Sequence, residues 1–159
     1  LPGAVIGLSL ILLVTSFPNL INSNIFIGSF FLLVYAYSIR HMAVGISPLK
    51  TSFEKHPRSY DDTGINLGLT PFKLFNKIHL PINKSAIIIA FLLCFIDIMK
   101  ELPITLILRP FNFDTLAVQT YQYAIEEMIP KSGVYSLSIV MIGSILLIFL
   151  KNVVNKQID

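Results

Sequence analysis

Asp97, Lys100 and Glu101 stand within five residues of one another in an otherwise apolar stretch, FLLCFIDIMKELPITLILRPF (residues 91–111), which runs on through Pro103 to Arg109. An ionisable group at the centre of a bilayer costs about 2.5–3.5 kcal/mol on insertion scales, so it calls for a partner, water or the membrane edge. Asp97 and Lys100 are three apart and Asp97 and Glu101 four apart, a spacing that puts all three on one side of a helix and predicts an Asp97–Lys100 ion pair. Two readings stay open. The cluster is either a structural pair whose side chains reach out to the membrane edge, or a set of groups facing a water-filled path. Hydrolytic chemistry is disfavoured, because the chain has no H-E-x-x-H and no paired membrane aspartates on separate spans.

The elements that position this cluster belong to a membrane. The chain is 54% hydrophobic and 13% charged, with a mean hydropathy of +0.74, whereas soluble domains carry about 25% charged residues. The sequence opens Leu1-Pro2-Gly3 inside an apolar run, with neither a basic leader nor a cleavage site. That opening predicts a fragment beginning inside a longer protein. The single cysteine, Cys94, excludes a disulfide framework or a cysteine metal cluster within the chain and reads as a small buried hydrophobe. His41, His56 and His79 show no ligand-like spacing and read as headgroup or docking-surface residues, so no metal site is expected.

The sequence predicts an all-α polytopic membrane protein of about four transmembrane helices, at residues 1–17, 24–46, 82–102 and 133–150. The last gives 18 uncharged residues, or roughly 27 Å of helix, close to the hydrocarbon thickness of about 30 Å. The third must include Asp97 to span, and Pro103 then ends or kinks it. Nine lysines and arginines fall in residues 40–84 and the tail, against three in residues 100–131. The positive-inside rule therefore puts the 47–81 loop and Asp159 in the cytoplasm and the 103–132 segment outside. The basic excess is a topology signal, and no aromatic-laced basic patch suggests nucleic acid. In the outer segment, Asn112 or Asp114 is expected to cap a helix to about Met128, with Val118, Tyr121, Ile125 and Met128 as a packing stripe. Glu126 and Glu127 end it, as solvated charges or as contacts for a partner.

The cytoplasmic loop SYDDTGINLGLTPFKLFNKIHLP (residues 59–81) predicts two short helices joined at a glycine corner. Ser59 can cap the first, with Asp62 three residues on, and Gly68 suits its stop. Thr70-Pro71 starts the second, and Leu80-Pro81 closes it. Phe72 and Phe75 share a face with Ile78 nearby, while Lys73 and Lys77 point elsewhere. Such an amphipathic knob either lies against lipid headgroups or docks a cytoplasmic partner.

The spacing Gly68, nine residues, Ile78, one residue, Leu80-Pro81 resembles the EAA loop of permease subunits in binding-protein-dependent ABC importers, which reads E-A-A, three residues, G, nine residues, I-x-L-P. Here the triplet falls on Asp62, Thr63 and Gly64, which keeps a shortened acid and replaces both alanines. Gly64 weakens the helix that the alanines would favour. Residues 100–127 further resemble ferric-iron-type permeases, whose pattern K-E-L-P-x-T-L-x-L-R-P-x-x-F-D-T-L-A is matched at Lys100, Glu101, Leu102, Pro103, Thr105, Leu106, Leu108, Arg109, Pro110, Phe113, Asp114, Thr115, Leu116 and Ala117.

That resemblance implies the C-terminal part of a permease in a bacterial cytoplasmic membrane, importing ferric iron, with thiamine, a polyamine or a phosphonate as the alternative cargo. It implies a coupling loop (Asp62, Thr63, Gly64, Gly68, Pro71, Phe72, Phe75, Ile78, Leu80, Pro81) engaging a separate ABC ATPase, and a substrate-binding protein outside. Asp97, Lys100, Glu101, Pro103 and Arg109 become candidates for the path or gate. Carboxylates and tyrosines would suit ferric iron, although a permease must also release its cargo. The chain has no G-x-x-x-x-G-K-[ST] loop, so no catalytic residue and no cofactor are expected.

Overall fold

The computed structural model describes residues 2–17, 27–57 and 59–155. Among them every regular element is helical. We number these α1 (Gly3–Ser16), α2 (Phe30–Glu54), α3 (Ser59–Asn66), α4 (Pro71–Ile82), α5 (Lys84–Met99), α6 (Pro103–Leu108), α7 (Leu116–Ile125) and α8 (Ile129–Asn155). Two of them, α2 and α8, are long and apolar enough to cross a membrane. The pair α4 and α5 passes the same test together but is bent by 70°, and α1 is a shorter apolar helix. The start of the second expected span (residues 24–26), the uncharged loop before it, Arg58 and the tail from Lys156 to Asp159 lie outside the described residues.

Helix α2 runs to Glu54, past the expected end at Ile46, and carries Pro48 inside it. An internal proline removes one backbone bond and crowds the preceding turn. A proline within a membrane helix is tolerated where its surroundings satisfy the freed groups. Helix α8 starts at Ile129 and extends past both ends of residues 133–150. None of its most apolar window is buried, and Val134, Leu137, Met141, Ile145 and Ile148 are all exposed. A surface of that kind requires apolar surroundings.

The chain divides into two compact units, one of Leu1–Met42 with Phe95–Leu146, the other of Ala43–Cys94 with Leu147–Asp159. In the first, Ile6, Leu10 and Val14 of α1, Leu32, Leu33 and Ala36 of α2, and Ile104 and Leu108 of α6 form one buried cluster. Their spacing of three to four residues gives each helix a single inward stripe. On α1 that stripe includes glycines: a Cβ on Gly7 would sit 3.2 Å from Ile107. The missing side chains let the short helix α6 lie directly on α1.

Thr115, rather than Asn112 or Asp114, caps α7, its hydroxyl accepting from the Val118 amide at 3.4 Å. Asp114 is taken instead by Arg109 and by the Gln119 amide at 2.8 Å. Of the expected packing stripe only Val118 is buried; Tyr121, Ile125 and Met128 are exposed, so the stripe does not form one packed face. Ser132 donates to the Thr120 carbonyl at 2.9 Å, and Tyr123 stacks on Tyr135 with Lys131 over its ring. These contacts fasten α7 to the first turn of α8.

Helix α7 stops in a Schellman turn, with Met128 N–H on the Tyr123 carbonyl at 2.9 Å and Glu127 N–H on the Ala124 carbonyl at 3.3 Å. The residue that turns left-handed is Glu127, at φ 58°, where a Cβ costs about 1–2 kcal/mol and glycine is the usual occupant. We expect Glu127→Gly to raise stability by about 1 kcal/mol, read as a higher melting temperature of the purified protein. An unchanged or lower value would contradict the left-handed turn.

Candidate functional site

Two groups of residues carry the candidate chemistry, one in each compact unit. The first is the hairpin of α3 and α4. Helix α3 ends in a Schellman turn, with Leu69 N–H on the Gly64 carbonyl at 3.1 Å and Gly68 N–H on the Ile65 carbonyl at 2.9 Å. Gly68 has φ +73°, and nothing lies within 4 Å of where its Cβ would be. Glycine is therefore favoured there by the backbone alone. Thr70 is extended and Pro71 takes the first position of α4, as the start signal predicts.

Gly64 plays a different part from the helix weakener expected of it. It is buried, and a Cβ built on it would collide with Leu74 and stand 3.3 Å from Ile78. The inward face of α4 is thus Leu74 and Ile78, packed into the gap that Gly64 leaves. Ile78 does not share the outward face with Phe72 and Phe75. That face stays open: Phe72 is 75% exposed, Phe75 48% and Leu67 74%. Asp62 and Thr63 are also exposed.

The middle of α4, Phe75–His79, is a π-helix, with Leu80 N–H reaching back five residues to the Phe75 carbonyl. Pro81 has no N–H to give, and the widened turn precedes it. Leu80-Pro81 does not close the helix; the chain continues to Ile82 and bends at Asn83. Sequence reasoning missed Asn83. It is 1% exposed and donates its side-chain amide to the His79 carbonyl at 2.8 Å. A polar residue buried at a helix break was its only signal. His79 is no loose surface group either: its Nε2 lies 2.8 Å from Asp61 Oδ1 and its ring packs on Phe53. His56 packs on Tyr60.

The second group surrounds the junction of α5 and α6 in the other unit. Lys100 and Asp97 form the expected pair at 2.9 Å, with the lysine side chain 64% exposed. Glu101 departs from that pair. It is 8% exposed and lies 3.6 Å from Arg40 Nε on α2. Beside it the Thr105 hydroxyl donates to the Glu101 carbonyl at 2.9 Å and accepts from the Tyr37 hydroxyl. His41, expected near the loop surface, is buried next to Tyr37. Pro103 opens α6. Arg109 does not meet this cluster; it pairs with Asp114 across a tight turn whose tip, Phe111, is 99% exposed. No group of three metal-ligating side chains occurs among the described residues.

The packing at Gly64 makes a direct prediction. We expect Gly64→Ala to push α4 off α3 and to speed amide hydrogen exchange across residues 59–82 at least tenfold, about 1.4 kcal/mol of local stability. Adding Leu74→Ala makes room for the new methyl and should recover part of that protection. Unchanged exchange in the single variant would show that the two helices do not pack through Gly64.

Known transport proteins resemble the chain in sequence. The chain is 28% identical over 150 residues, 94% of its length, to the Fe(3+)-transport system permease protein FbpB 2 of Haemophilus influenzae. It is 32% identical over 91 residues to the maltose/maltodextrin transport system permease protein MalG of Photorhabdus laumondii and of Escherichia coli K12, in each case 57% of this chain. It spans 29% of the first relative and 30% of the other two, under a third of the curated proteins it matches. No family model and no solved structure matches it. The chain is thus similar to transport-system permease proteins.

Proposed function

We propose that the chain is the C-terminal part of the permease of an ATP-driven importer in a bacterial cytoplasmic membrane, and that its cargo is ferric iron. The observation that carries the reading is the hairpin, whose one inward face packs through Gly64 and whose other face leaves Phe72, Phe75 and Leu67 uncovered beside a fixed corner at Gly68. An apolar face on a rigid corner is what a separate ATPase subunit needs in order to grip and push. The relative named for Fe(3+) transport matches nearly the whole chain, which favours iron over maltodextrin, thiamine, a polyamine or a phosphonate.

In this reading the work is conformational. Nucleotide-driven closure of the ATPase moves α4. The bend at Asn83 passes the displacement to α5, one unbroken helix of 16 residues, about 24 Å long. Its far end carries Asp97, with Lys100 and Glu101 just beyond it, and these with Pro103 and Arg109 border the path or its gate. A binding protein delivers cargo on the outer side, to the segment from Pro103 to Ser132.

Reconstitution of the full-length permease with its ATPase and binding protein tests the proposal. Iron-loaded binding protein should stimulate ATP hydrolysis and iron uptake, and the same protein loaded with another cargo should not. Gly68→Val puts a β-branched residue at a left-handed position and should abolish the stimulation while the protein still inserts. Gly68→Asn, which tolerates that conformation, should keep most of it. Full stimulation in Gly68→Val would show that the corner is not the contact.

A further inference from the structure

Helix α1 begins at Gly3. Pro2 precedes it in an extended conformation, makes no side-chain bond to the first turn and has no side-chain acceptor to offer. The first-turn N–H groups of a helix have no partner within it, and the aligned peptide dipoles make that end attractive to an anion. An anion is present. One oxygen of Glu101, Oε1, is buried with no hydrogen-bond partner, and a Cβ on Gly3 would lie 2.5 Å from it. The other, Oε2, lies 3.6 Å from Arg40 Nε. The Glu101 side chain is 9% exposed, and Ile104 closes the same spot, 3.1 Å from the Gly3 Cβ position.

We propose that Glu101 is a positioning residue, a counter-charge held against the first turn of α1 from the α5–α6 junction and clamped from behind by Arg40 of α2. Three elements are then tied at one carboxylate. Its two oxygens act separately, Oε1 packed against Gly3 at the positive end of α1 and Oε2 on the guanidinium. Gly3 belongs to the clasp because any side chain there occupies the place of Oε1. The carboxylate is therefore committed to holding the junction together and is not a ligand for cargo, which deepens the path-or-gate reading above by giving Glu101 its mechanical part in it.

A carboxylate at the end of a side chain can swing aside, so a methyl on Gly3 leaves it a choice between collision and leaving Arg40. The sign of the effect is diagnostic. Alanine is the better helix former, so propensity alone predicts that Gly3→Ala raises the melting temperature of the purified full-length protein in detergent. The clasp predicts a fall of about 2–4 °C. Glu101→Asp, one methylene shorter, should itself lower the melting temperature, and in that background Gly3→Ala should no longer lower it. Arg40→Gln should cost more with Glu101 present than beside Glu101→Gln. If Gly3→Ala yields no folded protein, recovery of monodisperse protein in the double variant with Glu101→Asp supports the clasp. A rise on Gly3→Ala alone, equal falls in both backgrounds, or no recovery overturns it. These readouts involve neither cargo nor ATPase, so they stand or fall separately from the importer reading.

Discussion

Helices surrounded by lipid-like groups gain nothing from the hydrophobic effect when they meet; they associate through close van der Waals contact and through polar pairs. Both devices are visible here, and both depend on side chains that are absent. Gly3 and Gly7 let α6 and Glu101 come against α1, and Gly64 lets Leu74 and Ile78 come against α3. Around these approaches several polar groups are paired. Tyr37 bonds Thr105, Thr105 bonds the Glu101 carbonyl, Arg40 faces the Glu101 carboxylate, and Asp61 faces His79. A side chain at any of these glycines would press on the neighbour that packs there.

The two compact units put this principle to different uses. In the first, a cluster of aliphatic side chains from α1, α2 and α6 encloses a short ladder of polar ones. In the second, the hairpin keeps a single apolar face inward and leaves the other uncovered, with its corner set by the left-handed Gly68 and its far end by the buried Asn83. Helix α5 connects the two chemistries along one chain segment.

Much of this was legible in the residues. Apolar runs broken by basic loops give the helical membrane class, the Thr70-Pro71 and Gly68 signals locate the hairpin, and the i, i+3 spacing gives the Asp97–Lys100 pair. What escaped depends on tertiary approach. Gly64 reads as a helix weakener until Leu74 is seen against it, and Glu101 reads as a neighbour of Asp97 until Arg40, 61 positions away in the chain, is seen beside it. Helix α2 runs past the expected end at Ile46 and through Pro48, because the apolar run sets the length of a span and not the end of its helix. Thr115 outcompetes Asn112 and Asp114 as a cap because Asp114 is already engaged by Arg109.

The central claim is that the open face of the hairpin lies in the cytoplasm and is covered by an ATPase. Single cysteines at Phe72 and Phe111, placed in a Cys94→Ser background of the full-length permease, test it with an impermeant thiol reagent in oriented vesicles. Phe111→Cys is predicted to react only in right-side-out vesicles. Phe72→Cys should react only in inside-out vesicles, and should lose its reactivity when the ATPase subunit is added. Labelling of Phe72→Cys from the outside, or labelling indifferent to the ATPase, would contradict the claim.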